Sequence, residues 1–151
     1  MDCVIRKAED RDAPAISLVV EAALRVSNAR DYSVEIIDQV LQNFSPCAIL
    51  RLLTLRQVYV ASIDGRIVGT ASLAQDTVRS VFVEPSYQGQ GVGRSLLAHI
   101  ESLAAQSGVE RLRVPSSITA QGFYRSLGYV KVRDEFHGAE RTIIMDKTPG
   151  R

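Results

Sequence analysis

The order of residues predicts an α/β (α+β) domain of about six to seven strands flanked by about four helices, on three observations. Three strand-like runs follow one another between residues 57 and 83 with only short turns between them, which predicts an antiparallel meander. Two stretches repeat apolar residues at the spacing of a buried helical face: Ile16, Val19, Val20, Ala23 and Leu24, then Val92, Leu96, Leu97, Ile100, Leu103 and Ala104. Between the meander and the second of these helices, an apolar run ends at Pro85 and three glycines at every second position, Gly89, Gly91 and Gly93, lead into the helical pattern.

Element by element, Cys3 to Lys7 reads as a first strand. Asp12 is a cap candidate for the first helix, with Pro14 in its first turn. Val26 to Tyr32 is a polar connection, and Ser33 caps a second helix carrying Ile36, Ile37, Val40 and Leu41, which Ser45-Pro46 breaks. Cys47 to Leu55 fits either a further short helix or irregular chain. Gln57 to Ile63 and Ile67 to Leu73 are strands joined by Asp64-Gly65, a strong two-residue hairpin signal. Ala74-Gln75-Asp76 turns into the strand that ends before Pro85, and Ser107-Gly108 closes the helix after the glycines. Arg111 to Val114 is a short strand, and Pro115-Ser116-Ser117 leads into a helix from about Thr119 to Leu127, stopped by Gly128. Tyr129 to Val132 and Arg141 to Met145 are the last strands, separated by a polar loop around His137.

The chain of 151 residues has the size of one domain, assigned to residues 1–147 with a short mobile tail at 148–151. Its hydrophobic content of 46%, charged content of 23% and formal net charge of +1 give no bulk attraction to nucleic acid or membrane. No apolar run approaches the roughly 20 residues of a membrane span, and Met1 to Lys7 has no signal-peptide core, so a cytoplasmic location is expected. Cys3 and Cys47 have no Cys or His companion at metal-ligand spacing and read as two buried, reduced thiols; no metal is expected.

The glycine segment, Val83-Glu84-Pro85-Ser86-Tyr87-Gln88-Gly89-Gln90-Gly91-Val92-Gly93-Arg94, carries the most chemistry. Glycine allows positive φ and a close backbone approach to a ligand. A helix N-terminus offers unpaired N–H groups and a favourable dipole for phosphate. Two phosphate-binding patterns fail on spacing. In a G-x-G-x-x-G dinucleotide fingerprint the third glycine would fall on Arg94, and Gly93-Arg94-Ser95 lacks the lysine of a Walker loop. The segment instead matches V-x-P-x-x-Q/R-G-x-G-x-G/A and resembles the coenzyme A loop of the GNAT superfamily of N-acetyltransferases.

A second stretch, Ser117-Ile118-Thr119-Ala120-Gln121-Gly122-Phe123-Tyr124-Arg125-Ser126-Leu127-Gly128-Tyr129, resembles another GNAT signature, N/S-x-x-A-x-x-F-Y-x-x-x-G-F/Y. On local grounds Ala120, Phe123, Tyr124 and Leu127 form one helical face, and Tyr124 alone would be a core aromatic. Its place some thirty residues after the glycine segment makes it a site candidate as well.

The resemblance implies the GNAT acyltransferase fold: a mixed sheet with an antiparallel meander followed by a splayed parallel pair. It implies acetyl-CoA as co-substrate, with the pyrophosphate on the backbone of Gln88, Gly89, Gln90, Gly91, Val92, Gly93 and Arg94. The pantetheine arm would lie along Val81, Phe82 and Val83, and Ser117 would stand where many relatives carry a coenzyme-contacting asparagine. Tyr124 would be the general acid. Asp76 is the carboxylate best placed as a base, although an ordinary turn residue explains it better. Asn28, Tyr32 and Phe44 are candidates for the acceptor pocket, and Arg79 for an anionic-substrate contact or a plain surface. The acceptor is expected to be a small-molecule or amino-acid-like amine, and a homodimer is common among such proteins. A coenzyme A-binding regulatory module without turnover, and an acetyltransferase for protein lysines or N-termini, stay open beside this reading.

Overall fold

The computed structural model describes residues 2–149. Its elements are β1 (Val4–Lys7), α1 (Ala13–Val26), α2 (Val34–Leu41), α3 (Pro46–Leu55), β2 (Gln57–Ile63), β3 (Arg66–Ala74), β4 (Thr77–Val83), α4 (Val92–Gln106), β5 (Leu112–Ser116), α5 (Gln121–Ser126), β6 (Val130–His137) and β7 (Glu140–Lys147). Seven strands form one sheet in the order β1-β2-β3-β4-β5-β7-β6. The meander β2–β3–β4 is antiparallel as expected. Its first turn has positive φ at both Asp64 (52°) and Gly65 (79°), the geometry whose twist matches a hairpin.

β4 and β5 run parallel but are registered at a single pair, Thr77 with Arg113. The Arg113 N–H adds one bond to the Asp76 carbonyl at 2.9 Å. Beyond that point the strands splay, because β5 is held from its other side along its whole length, Leu112 to Ser116 being registered with Lys147 to Ile143 of β7. Pro115 removes a backbone donor from β5 beside the gap, a loss that a proline imposes cheaply only on an unpaired strand edge.

Helices cover both faces of the sheet. On one side Leu96, Leu97 and Ile100 of α4 and Tyr124 of α5 pack with Val68, Leu73, Val78 and Ile143. On the other, Ile16 and Val20 of α1, Ile37 of α2 and Ile49 of α3 pack with Val58 and Val60. Gly69 lets α4 come close to β3: a Cβ there would lie 2.9 Å from Val92 Cγ1 and 3.1 Å from Leu96 Cδ1.

Several sequence expectations need correction. Cys47 to Leu55 belongs to α3, a fifth helix, which starts at Pro46 and is capped by the Ser45 hydroxyl accepting from the Ala48 N–H at 3.1 Å. Cys47 is exposed and Cys3 half-buried, not a buried pair, since α3 buries Ile49 and Cys47 lies off that face. Asp12 makes no side-chain cap to α1: its carboxylate takes the Arg6 guanidinium in two bonds, at 2.8 and 3.0 Å, and the Glu9 N–H. The polar loop expected around His137 shrinks to Gly138-Ala139, because β6 runs through His137. Of the tail expected to be mobile, Thr148 is exposed and Pro149 buried, while 150 and 151 lie outside the described residues.

Candidate active site

The splay between β4 and β5 opens into a continuous cleft of about 1300 Å³ that reaches from the glycine segment to the C-terminal end of α3 and the β6–β7 hairpin. β4 forms its floor, with Thr77 through Val83 all contributing to the lining. Because the β5-facing edge of β4 is registered with a neighbour only at Thr77, the strand offers unpaired backbone groups to whatever fills the cleft.

Midway along β4 the backbone leaves the regular ladder. The register with β3 shifts between Thr70 and Ser72, with Phe82 opposite Thr70 but Arg79 opposite Ser72, so β4 carries one extra residue there. At this bulge Ser80 has φ 57°. A left-handed serine inside a strand costs about 1 kcal/mol or more, and such strain gathers where backbone is aimed at a ligand. No local signal in the sequence marks it, since serine favours neither bulges nor positive φ strongly.

At the other end of β4, a short 3-10 turn (Pro85–Tyr87) passes into the glycine segment. Gly89 and Gly91 have φ of 79° and 84°, and a Cβ built on either would meet nothing within 4 Å. The cradle therefore has open space above left-handed backbone. α4 starts here with Gly91 as its N-cap, and its first bond runs from the Ser95 N–H to the Gly91 carbonyl at 3.0 Å. The N–H groups of Val92, Gly93 and Arg94 precede that bond, and as first-turn donors they are free for an anion. Gly93 differs from its neighbours: a Cβ there would sit 3.0 Å from Phe123 Cζ, so packing against α5 demands glycine.

The other expected coenzyme residues divide. Val81, Phe82, Val83, Gln88, Gly89, Gly91, Val92, Gly93, Arg94 and Ser117 all line the cleft, whereas Gln90 is exposed and does not. The Gln88 side chain is already engaged, donating to the Ser27 hydroxyl at 2.9 Å and the Val83 carbonyl at 3.3 Å, and so ties the loop to the end of α1. Ser117 accepts from the Ala120 N–H at 3.1 Å, which starts the turn into α5 and leaves the hydroxyl proton to donate.

Tyr124 lies on the buried face of α5, only 4% exposed, and lines the cleft. Its ring packs edge-on against Phe123 and Tyr129, with centroids at 5.1 and 5.6 Å. Among the described residues no group pairs with its hydroxyl, and no buried side-chain oxygen lacks a partner; the hydroxyl therefore reaches the cleft. Burial pushes its pKa well above the ordinary phenol value, so it stays a proton donor.

Asn28, Tyr32 and Phe44 also line the cleft. Tyr32 is a clamp: its hydroxyl accepts from the Ile118 N–H at 2.7 Å and donates to the Arg141 carbonyl at 3.2 Å, joining the α1–α2 connection to β7 and the start of α5. Phe44 packs edge-on against Phe82, centroids 5.5 Å apart. Asp76 is not brought to this cleft. It is exposed on the β3–β4 turn at the closed end of the splay, where its carboxylate accepts from the Thr77 hydroxyl at 2.9 Å. Glu135 and Glu140, on the β6–β7 hairpin, are the carboxylates lining the cleft, and Glu135 is paired with Arg133 at 2.6 Å. Their part was unreadable in sequence, because β6 and β7 reach the cleft only through tertiary pairing.

A meander, a splayed parallel pair and a helix N-terminus with free N–H groups around one cleft make up the arrangement of an acyltransferase fold. A family model described as an acetyltransferase (GNAT) domain matches residues 28–145. The chain belongs to the GNAT acetyltransferase family. An uncharacterized N-acetyltransferase of Chlorobaculum tepidum is 26% identical over 140 residues, 89% of this chain and 80% of its own. A glucosamine 6-phosphate N-acetyltransferase of Trypanosoma brucei brucei is 31% identical over 84 residues, 48% of this chain and 57% of its own. Among solved structures, a GCN5-related N-acetyltransferase from Rhodopseudomonas palustris superposes with a TM-score of 0.93 at 25% identity, over 98% of this chain and 96% of that one. The PaiA N-acetyltransferase of Thermoplasma acidophilum, in complex with coenzyme A, follows at 0.81 and 19% identity, over 98% and 99%. Among the described residues no helix is long and apolar enough to cross a membrane, and no cluster of three metal-ligating side chains occurs.

Proposed function

We propose that this protein transfers the acetyl group of acetyl-CoA to the primary amine of a small molecule. The observation that carries the reading is the Tyr124 hydroxyl, borne on a residue only 4% exposed, without a partner among the described residues, and reaching the cleft between β4 and β5. The residues fit the co-substrate. The open cradle at Gly89 and Gly91, with the first-turn N–H groups of Val92, Gly93 and Arg94, suits a pyrophosphate. The unpaired edge of Val81 to Val83 suits the amides of a pantetheine arm, and Ser117 would add one hydroxyl donor.

Acetyl-CoA supplies the thioester. The backbone around the Ser80 bulge would hold its carbonyl among preorganised N–H donors, where developing negative charge is stabilised. The amine's lone pair forms the new C–N bond as the C–S bond breaks. Tyr124 would give its phenolic proton to the departing sulfur and regain one from solvent, while the amine loses its own proton to water. Asp76 has no part in this reading. The acceptor would enter past Asn28 and Phe44, toward the end of the cleft opposite the glycine cradle. The name of the trypanosomal relative, a glucosamine 6-phosphate N-acetyltransferase, supports a small-molecule amine.

The test is release of free thiol from acetyl-CoA across a panel of amines. Amine-dependent release that collapses in Tyr124→Phe is expected. Tight binding of coenzyme A with no release on any amine would assign the protein instead to the regulatory binding modules.

A further inference from the structure

The acceptor end of the cleft has a charge pattern that acetyl transfer alone does not require. Arg56 caps the C-terminal end of α3 and is half-buried; its guanidinium donates to the Ser80 hydroxyl at 3.0 Å, at the bulge. Arg79 is the residue immediately before Ser80, and both arginines line the cleft. Arg79 is near enough, and Arg56 buried enough, that both effects lower the Arg56 pKa. Neither arginine takes part in an ion pair among the described residues. Arg56 is half-buried and Arg79 exposed beside it, and two guanidiniums this close with no paired carboxylate repel each other, which an anion arriving between them would relieve. Guanidinium is the group suited to that task, with a planar fork that matches phosphate or carboxylate.

The coenzyme's own phosphates are unsuited to this place. Their cradle is at Gly89 to Arg94, and the pantetheine segment proposed for Val81 to Val83 lies between that cradle and Arg79. The four residue steps from Arg79 to Val83 span about 13 Å.

Resting on the acetyltransferase reading, we propose that Arg56 and Arg79 bind an anionic group, phosphate or carboxylate, on the amine acceptor. They set its orientation as well as its affinity: with the anion held beside the bulge, the amine is left to face the thioester end of the cleft. The enzyme would therefore prefer amines that carry a negative charge over neutral amines of the same shape.

Matched pairs test this: glucosamine 6-phosphate against glucosamine for the phosphate arm, and an amino acid against its amide for the carboxylate arm, each with acetyl-CoA. The charged member of at least one pair should have the higher kcat/KM, and the arm that shows the preference identifies the anion. Arg79→Gln and Arg56→Gln should each lower kcat/KM for that member by about ten- to hundredfold, as loss of a charged hydrogen bond does. In Arg79→Gln the KM for acetyl-CoA and turnover of the neutral member should stay as in the wild type. The Arg79 side chain makes no hydrogen bond or ion pair among the described residues, and its backbone bond from the Ser72 hydroxyl survives substitution, so its variant keeps the test open if Arg56→Gln, which loses the Ser80 contact, melts early. A binding arm separates this inference from the transfer reading: inorganic phosphate is titrated into protein saturated with coenzyme A. Heat in the wild type that vanishes in Arg79→Gln supports the anion site even if no amine is acetylated. Equal use of charged and neutral amines, or phosphate binding unchanged by both substitutions, overturns it.

Discussion

Tyr124 and Tyr129 are neighbours in one aromatic cluster, 5.6 Å apart, yet deleting their hydroxyls should have opposite consequences. Tyr124→Phe keeps the ring contacts to Phe123 and Tyr129 and removes an oxygen that has no partner among the described residues. Nothing is orphaned, so stability should change by no more than about 0.5 kcal/mol, roughly 2 °C in Tm for a domain of this size. Activity should fall by about 10²–10⁴-fold, the usual worth of a positioned proton donor, which is about 3–5 kcal/mol of barrier. Tyr129→Phe reverses the pattern. The Tyr129 hydroxyl donates to Glu101 at 2.8 Å, and the same carboxylate receives Lys147 at 3.0 Å. Loss of that donor to a half-buried charge should cost about 1.5–3 kcal/mol, or several degrees of Tm, with turnover at 25 °C unchanged. Thiol release and a thermal melt on both variants decide the matter. If Tyr124→Phe turns over within a few-fold of the wild type, or if its lost activity tracks a lost fold, the proton-donor role is wrong.

Glycine variants should separate two constraints. Gly91→Ala meets no side chain, so it should cost about 1–2 kcal/mol from its left-handed φ alone and raise the KM for acetyl-CoA. Gly93→Ala should be destabilising through its 3.0 Å approach to Phe123, by about 1–3 kcal/mol as in overpacked cores, as a melt would show. Asp76→Asn should leave kcat/KM unchanged, and a drop of the size a lost base gives, about 10²-fold or more, would return Asp76 to the chemistry. In alkali, the burial-raised pKa values of Tyr124 and Tyr129 mean the unfolded chain ionises first. Their contribution is therefore complete below about pH 10 and lost as pH rises beyond it, so denaturant midpoints should fall there. In acid the sign inverts: Arg6 holds the Asp12 carboxyl below its usual range. That stability is complete above about pH 4 and disappears as pH falls through the lowered value, a limb that Asp12→Asn should flatten.

What was legible in the chain was what local chemistry determines. The Asp64-Gly65 turn, the glycine cradle and the α5 signature are short segments whose residues state their own backbone requirements. So the meander, the helix N-terminus and Tyr124 could be read directly. The edge strand β6 was read as ending at Val132 because the residues that extend it, Arg133 to His137, are four charged or polar side chains around one phenylalanine and carry no apolar alternation. The Ser80 bulge and the Arg56–Ser80 contact join residues 24 apart. Nothing in either segment alone announces them. Gln88 and Tyr32, both in the cleft lining, also hold pieces of the fold together through side-chain bonds to distant segments, which neither residue's own neighbourhood in sequence announces.

The insertion of β7 between β5 and β6 has a bearing on how the protein is made. With β4 and β5 joined at one register pair, the sheet pairing of the arm carrying Tyr124 comes almost wholly from β7. During synthesis the cradle and its meander can assemble early, but the opposite jaw lacks its main sheet partner until the last residues of β7 have emerged. Until then the nascent chain is a cradle without its opposite jaw, and a chain cut short within β7 should keep that cradle yet never close the cleft.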